Sequence, residues 1–198
     1  MTDRLFVFDT GPLLCFGGFP GGARLLASRY RGQAWTTGDV DRELRGLRRS
    51  PNPIIADAAD RCVQKFNWIE RRRFAEADDL ETLDALRARL GTFQRGERIV
   101  PKSNRADFGE CSVLLLAKHL TSAGSHVVVV INEDPARRLA WSLDIASVCF
   151  AEVLKAMCIH GTLTAAAAFA GCQKLKRGFV DVGDIVESPK YFQEAPAA

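Results

Sequence analysis

Four acids stand out for where they fall relative to the apolar segments. Asp9 closes the unbroken apolar run Leu5–Phe8 in "RLFVFDTGPLL", and Glu133 follows "HVVVVIN", with Asn132 before it and Asp134 after. Glu110 sits at the head of "FGECSVLLLA", and Glu43 lies within "DVDREL". An acid that ends an apolar strand has little structural purpose unless neighbouring backbone binds it, so Asp9 reads as functional. Carboxylates brought together repel and raise their own pKa values. Hard divalent cations with oxygen ligands, Mg²⁺ or Mn²⁺, are the usual resolution. Such a cation acts on electron-rich substrate oxygens, and phosphodiesters fit that requirement.

Each group also has a plainer reading. Glu110 is the third residue of a D-x-x-E capping box begun by Asp107. Glu43 fits a solvated helix face, and Asp134 fits a first-turn acid ahead of Pro135. Thr10 fits an N-cap, with Pro12 in the first turn behind it.

The elements that must position these acids follow from hydrophobic patterning. Leu5–Phe8 and His126–Asn132 are continuous apolar strands, as in a sheet buried on both faces. Shorter strands are expected at Ala34–Thr36, Asn67–Glu70 and "DIASV" (144–148). Between them lie helical patterns: "TGDVDRELRGLRR" with Thr37 as cap, "IIADAADRCVQKF", "AEADDLETLDALRARLG", "DFGECSVLLLAKHL" and "EDPARRLAWSL". "CFAEVLKAMCIHG" and "TLTAAAAFAGCQKLKRG" are helical as well. "TFQRGERIVPKSNRA" reads as a long surface loop, and 188–198 as a loose tail. Strands alternating with helices predict an α/β fold, a central parallel sheet flanked by helices on both faces, in a single domain over 1–187. In such a sheet ligands bind beyond the C-terminal strand ends, where strand order reverses. Asp9 and Glu133 belong to that edge.

The chain has 198 residues, 47% hydrophobic and 26% charged, as in an ordinary globular domain. No apolar run approaches the roughly 20 residues of a membrane span. The first strand begins within a few residues of the N-terminus, so no signal peptide and a cytoplasmic location are expected. Six scattered cysteines without a CxxC pair read as reduced core thiols, and three scattered histidines point to no zinc site. The net charge of +3 alone does not identify a nucleic-acid partner. Basic residues nevertheless cluster in Arg42–Ser50, Ile69–Phe74 and Arg95–Arg105.

Taken together these blocks resemble the PIN domain family, in particular the VapC-like toxin ribonucleases. "VFDTGPLL" matches the family's opening strand ending in Asp, "DVDREL" its short helix ending Glu-Leu, and "FGECSVLLLA" a Gly-Glu helix start. "INEDPARRLA" keeps an Ala-Arg-x-x-Ala signature as Ala136, Arg137 and Ala140. It carries Asn132 and Glu133 where paired aspartates are usual. The match spans about Phe6 to Leu154, and 51–105 is unmatched elaboration. The resemblance implies a PIN-like fold and a Mg²⁺- or Mn²⁺-dependent endoribonuclease leaving a 5′-phosphate and a 3′-hydroxyl. Asp9, Glu43, Glu110 and Glu133 would be catalytic, with Asp9, Glu110 and Glu133 on the metal. Thr10, Arg137 and Arg138 would contact RNA. It further implies a toxin–antitoxin pair with a small antitoxin protein, and a homodimer. The altered fourth motif leaves an alternative: a catalytically impaired PIN-like nucleic-acid-binding or regulatory module. A phosphotransfer domain fits poorly, because Gly11 stands where a phosphatase needs its second Asp.

Overall fold

The computed structural model describes residues 4–74, 76–93, 108–178 and 180–193. Two strands set its geometry, β1 (Arg4–Phe8) and β4 (His126–Val130), paired in parallel from Arg4↔His126 to Phe8↔Val130. Both run from an exposed first residue to a fully buried last one. Whatever follows each strand therefore starts inside the protein, at its C-terminal edge.

The sheet has five parallel strands in the order β3-β2-β1-β4-β5, with β2 at Ala34–Thr37, β3 at Glu70–Arg72 and β5 at Ala146–Val148. This is the expected α/β architecture. From β1 the chain winds outward through α1 (Thr10–Gly18), α2 (Gly22–Tyr30), α3 (Gly38–Leu47) and α4 (Pro53–Lys65). It then crosses back through α5 (Ala77–Phe93) and α6 (Phe108–Ser122) to β4, and continues through α7 (Asp134–Trp141) to β5. The early helices pack chiefly on one another, α1 on α4 and α3 on α4, and α5 packs on α6 and α7. Right-handed crossovers from a sheet that winds in both directions put these two groups on opposite faces. The order reverses between β1 and β4.

Close backbone approach explains the glycines after β1. A Cβ on Gly17 would stand 2.4 Å from Ala58 O, and one on Gly22 would stand 2.1 Å from Phe16 O. Gly17 lets α1 lie against α4, where Cys62 Sγ donates to Leu13 O and Arg61 Nε to Gly17 O. The core runs through Phe8, Phe16 and Phe150, with Phe16 and Phe150 edge to face at 4.9 Å. All six cysteines are free, five of them buried.

Three expectations need correction. The third strand lies at Glu70–Arg72, beyond the expected Asn67–Glu70, and its residues are exposed. It is an edge strand held by backbone pairing, Trp35↔Glu70 to Thr37↔Arg72, so no apolar pattern marks it. Arg71 folds its guanidinium back onto the carbonyls of Phe66, Asn67 and Ile69 instead. The helix expected to stop at Gly91 continues to Phe93. In the segment read as a loose tail, Pro189–Phe192 forms a 3₁₀ turn that buries Phe192, packed against α8 (Phe150–Ile159) and α9 (Ala165–Arg177). The long loop expected at 92–106 falls, from 94 on, outside the described residues, as do Asp107 and its capping box. Among the described residues no helix is long and apolar enough to cross a membrane.

Candidate active site

Asp9 follows β1 directly and is the N-cap residue of α1, with its N–H donating to Val130 O at 3.0 Å. It thus sits at the β1/β4 reversal, only 4% exposed. Its Oδ1 is buried and has no hydrogen-bond partner. The usual N3 cap is impossible here, because Pro12 supplies no N–H. A buried, unpartnered carboxylate oxygen is costly and requires an explanation.

The residue borders an acid-lined space. A cavity of about 240 Å³ is lined by Asp9, Thr10, Glu43, Glu110, Asn132, Glu133 and Asp181, with Gly11, Leu14 and Val180. All four acids expected from the sequence meet in it, together with Thr10.

Two helix starts bring in the glutamates. Thr37 caps α3 by accepting from Val40 N at 3.3 Å, as expected. Its hydroxyl also meets Ser112 Oγ at 2.6 Å, and Ser112 Oγ donates to Gly109 O at 2.8 Å. This buried chain ties the start of α3 to the start of α6. Glu43 on α3 then accepts from Gly109 N at 3.2 Å through Oε1 and from Thr10 Oγ1 at 2.5 Å through Oε2. Thr10 is therefore the first residue of α1 and a donor to Glu43, where its sequence read as a cap. Glu110 lies one residue past Gly109, in the first turn of α6. Glu133 caps α7 and stands exposed at the mouth.

The charges repel. Burial first, then Glu43 and Glu133, push Asp9 up from 3.8 to about 7. The Thr10 and Gly11 N–H groups offset part of that rise, though neither makes a capping bond to the side chain. Glu110 is pushed well above the usual carboxylate range by burial, then by Asp9 and Glu133. Glu43 is raised by burial, which its bonds from Thr10 and Gly109 partly counter. A buried carboxylate with an orphaned oxygen, sharing a cavity with four more acids, fits a hard divalent cation. Among the described residues no group of three or more His, Cys, Asp and Glu side chains is already arranged to hold a metal ion. The acids share a pocket but are splayed, with both Glu43 oxygens held by protein donors.

Four neighbours have other partners. Asp134 pairs with Arg138 at 2.7 Å and lies outside the cavity lining, so Glu133 is the acid that β4 presents to it. Arg137 spans Asp134 at 3.8 Å and Glu152 at 3.7 Å, partly buried, while Arg138 is largely exposed. Neither arginine lines the cavity. Asn132, buried, donates through Nδ2 to Asp181 O at 2.6 Å and accepts from Phe150 N at 2.9 Å.

Asp181 is the residue that sequence reasoning missed. It follows the last helix in "FVDVGDIVE", with no strand end or helix start to mark it. The alternation of valines with acids was its one available signal. No protein-family model matches the chain, and none of the curated proteins matches it.

Proposed function

We propose that this chain is a divalent-cation-dependent endoribonuclease of PIN-like type that hydrolyses RNA phosphodiester bonds. The observation that carries the reading is Asp9, buried and with an unpartnered Oδ1, which lines a cavity together with four further carboxylate residues. Asp9, Glu110 and Glu133 would hold Mg²⁺ or Mn²⁺. A cation there supplies Lewis acidity toward a scissile phosphate and lowers the pKa of water. Glu43 is fixed by its bonds from Thr10 and Gly109, and burial raises its carboxyl above the ordinary value.

The polyanionic substrate is supported by the sheet edge. Continuing the pairing register places Asp9, Thr37 and Arg72 in one row, Arg72 two strand spacings, roughly 10 Å, from Asp9. Arg72 and Arg73 are exposed and form no ion pair with another described residue. Arg138, in the last turn of α7 and paired with Asp134, is a further exposed cation. Phosphate contacts of this kind give salt-dependent affinity without sequence choice. The role as toxin of a toxin–antitoxin pair, with a small antitoxin protein over the acidic groove and a homodimeric state, rests on the family resemblance and belongs to this proposal.

One observation favours a second reading, a PIN-like nucleic-acid-binding or regulatory module without chemistry. Asn132, at a position where the resemblance leads one to expect an acid, is engaged in protein hydrogen bonds. Incubation with structured RNA, with Mn²⁺ or Mg²⁺ or with EDTA, separates the two. The nuclease cleaves only with the cation and is silenced by Asp9→Asn. Cleavage unchanged in EDTA or in Asp9→Asn overturns the site assignment, and RNA retention without cleavage selects the binding module.

A further inference from the structure

After α9 the chain returns across the C-terminal edge of the sheet. Val180, Val182 and Val186 are buried, and Val182 O accepts from Ala151 N at 3.1 Å. The densest attachment is at Asp181, whose carbonyl receives both Asn132 Nδ2 at 2.6 Å and Cys15 Sγ at 3.1 Å. Two residues on, Gly183 has φ +81, and a Cβ there would stand 2.4 Å from Cys149 Cβ and 3.0 Å from Asn132 Cα. Only glycine accommodates both that conformation and that approach. Gly183 N donates to Asp181 Oδ1 at 2.9 Å, which fixes the Asp181 side chain in a turn. The result is a strap held by buried valines and backbone hydrogen bonds, with Asp181 among the residues lining the cavity.

An amide at 132 is required for this arrangement. Its nitrogen donates to one carbonyl while its oxygen accepts from the start of α8. A carboxylate would instead set an anionic oxygen against Asp181 O, at a distance where two acceptors repel. Independently, Asp9, only 4% exposed and with no hydrogen-bond partner for its Oδ1 among the described residues, lines the same cavity. None of the described residues lining the cavity is a cation, and Asn132 holds the backbone of one more acid, Asp181, at its wall.

We propose that Asp181 is a fifth carboxylate ligand of the cation site and that Asn132 is the positioning residue that holds it there. This rests on the cation-dependent reading above. It assigns to a C-terminal strap the carboxylate that β4 does not supply at residue 132.

The test is Mn²⁺ binding to the full chain, followed by calorimetry and by the electron paramagnetic resonance of free Mn²⁺. Asp181→Asn keeps the acceptor for Gly183 N and should leave metal-free melting unchanged. It should weaken Mn²⁺ binding about tenfold or more. Asn132→Ala should speed amide exchange over 180–187 and weaken Mn²⁺ binding. Combined with Asp181→Asn, it should add little further loss, since the two act as one unit. A purely structural Asn132 would lower melting without moving Mn²⁺ affinity. Wild-type binding with Asp181→Asn equally tight overturns the inference and leaves the cation site standing. Fully additive losses overturn the positioning role, and no Mn²⁺ binding by wild type overturns both readings.

Discussion

Gly109 and Glu43 leave no room for a larger side chain between them: Gly109 N donates to Glu43 Oε1 at 3.2 Å, and a Cβ on Gly109 would stand 2.7 Å from Oε2. Gly109→Ala must displace the Glu43 carboxylate from its bonds with Gly109 and Thr10. Alanine is otherwise favoured in a helix by up to about 1 kcal/mol, so the fold should survive. The expected outcome is a drop in cation-dependent RNA cleavage of about tenfold or more, from misplacement of a reacting group. Melting should change little. Cleavage at wild-type rates would show that Glu43 need not be held where it is.

The raised pKa of Asp9 gives stability a definite pH dependence. The folded chain holds this proton up to about pH 7, while the unfolded chain releases it near 3.8. The stabilisation is full below the lower value and is lost as pH rises through the upper one, on the order of 4 kcal/mol in all. In EDTA the melting temperature should therefore fall from about pH 4.5 to about pH 7.5. Mn²⁺ should restore it at the higher pH and do little at the lower, where Asp9 is protonated. Asp9→Asn should flatten this profile and melt above wild type at the higher pH in EDTA. A melting temperature that rises with pH in EDTA would contradict the site's electrostatics.

Arg72 ends the edge strand at the level of Asp9, and Arg73 follows it. Replacing both with serine should weaken RNA binding and flatten its dependence on salt. The log–log slope should shrink by about 0.7 for each phosphate that is no longer neutralised. Cleavage of saturating RNA should persist, because neither residue lines the cavity. Fluorescence anisotropy across a salt series measures the slope. An unchanged slope would remove this strand from the RNA path.

Gly17→Ala tests the packing that carries the site. The added Cβ would meet Ala58 O at 2.4 Å, backbone that cannot rotate away. Overpacking of this kind costs about 1–3 kcal/mol. Urea unfolding should show a lower midpoint with an unchanged m-value.

Much of this site was legible locally. Continuous apolar runs marked β1 and β4, and the residue after a buried parallel strand must fall at the binding edge, so Asp9 and Glu133 could be placed together from the sequence. Thr37 and the Gly-Glu pair at 109–110 are helix-start signals that act over a few residues, and both helices begin there. The third strand was misplaced because backbone pairing alone holds an edge of three exposed polar residues. Thr10 read as a cap because its capping potential is local, while its actual partner, Glu43, is 33 residues away.

Asp181 and Asn132 lie beyond such signals. Nothing within a few residues of Asp181 distinguishes it from a surface acid, and nothing beside Asn132 says whether its amide turns to the cavity or to the protein. Those roles come from a contact across 49 residues, formed only when the C-terminal strap lies over β4 and α8. The sequence by itself determined the elements, the parallel sheet and the edge where acids gather, because hydrophobic period and helix capping are short-range. The tertiary structure alone decided which oxygens are satisfied and which, like Asp9 Oδ1, are left without a partner among the described residues. Hydrogen-bond satisfaction in a buried site depends on every segment that reaches it.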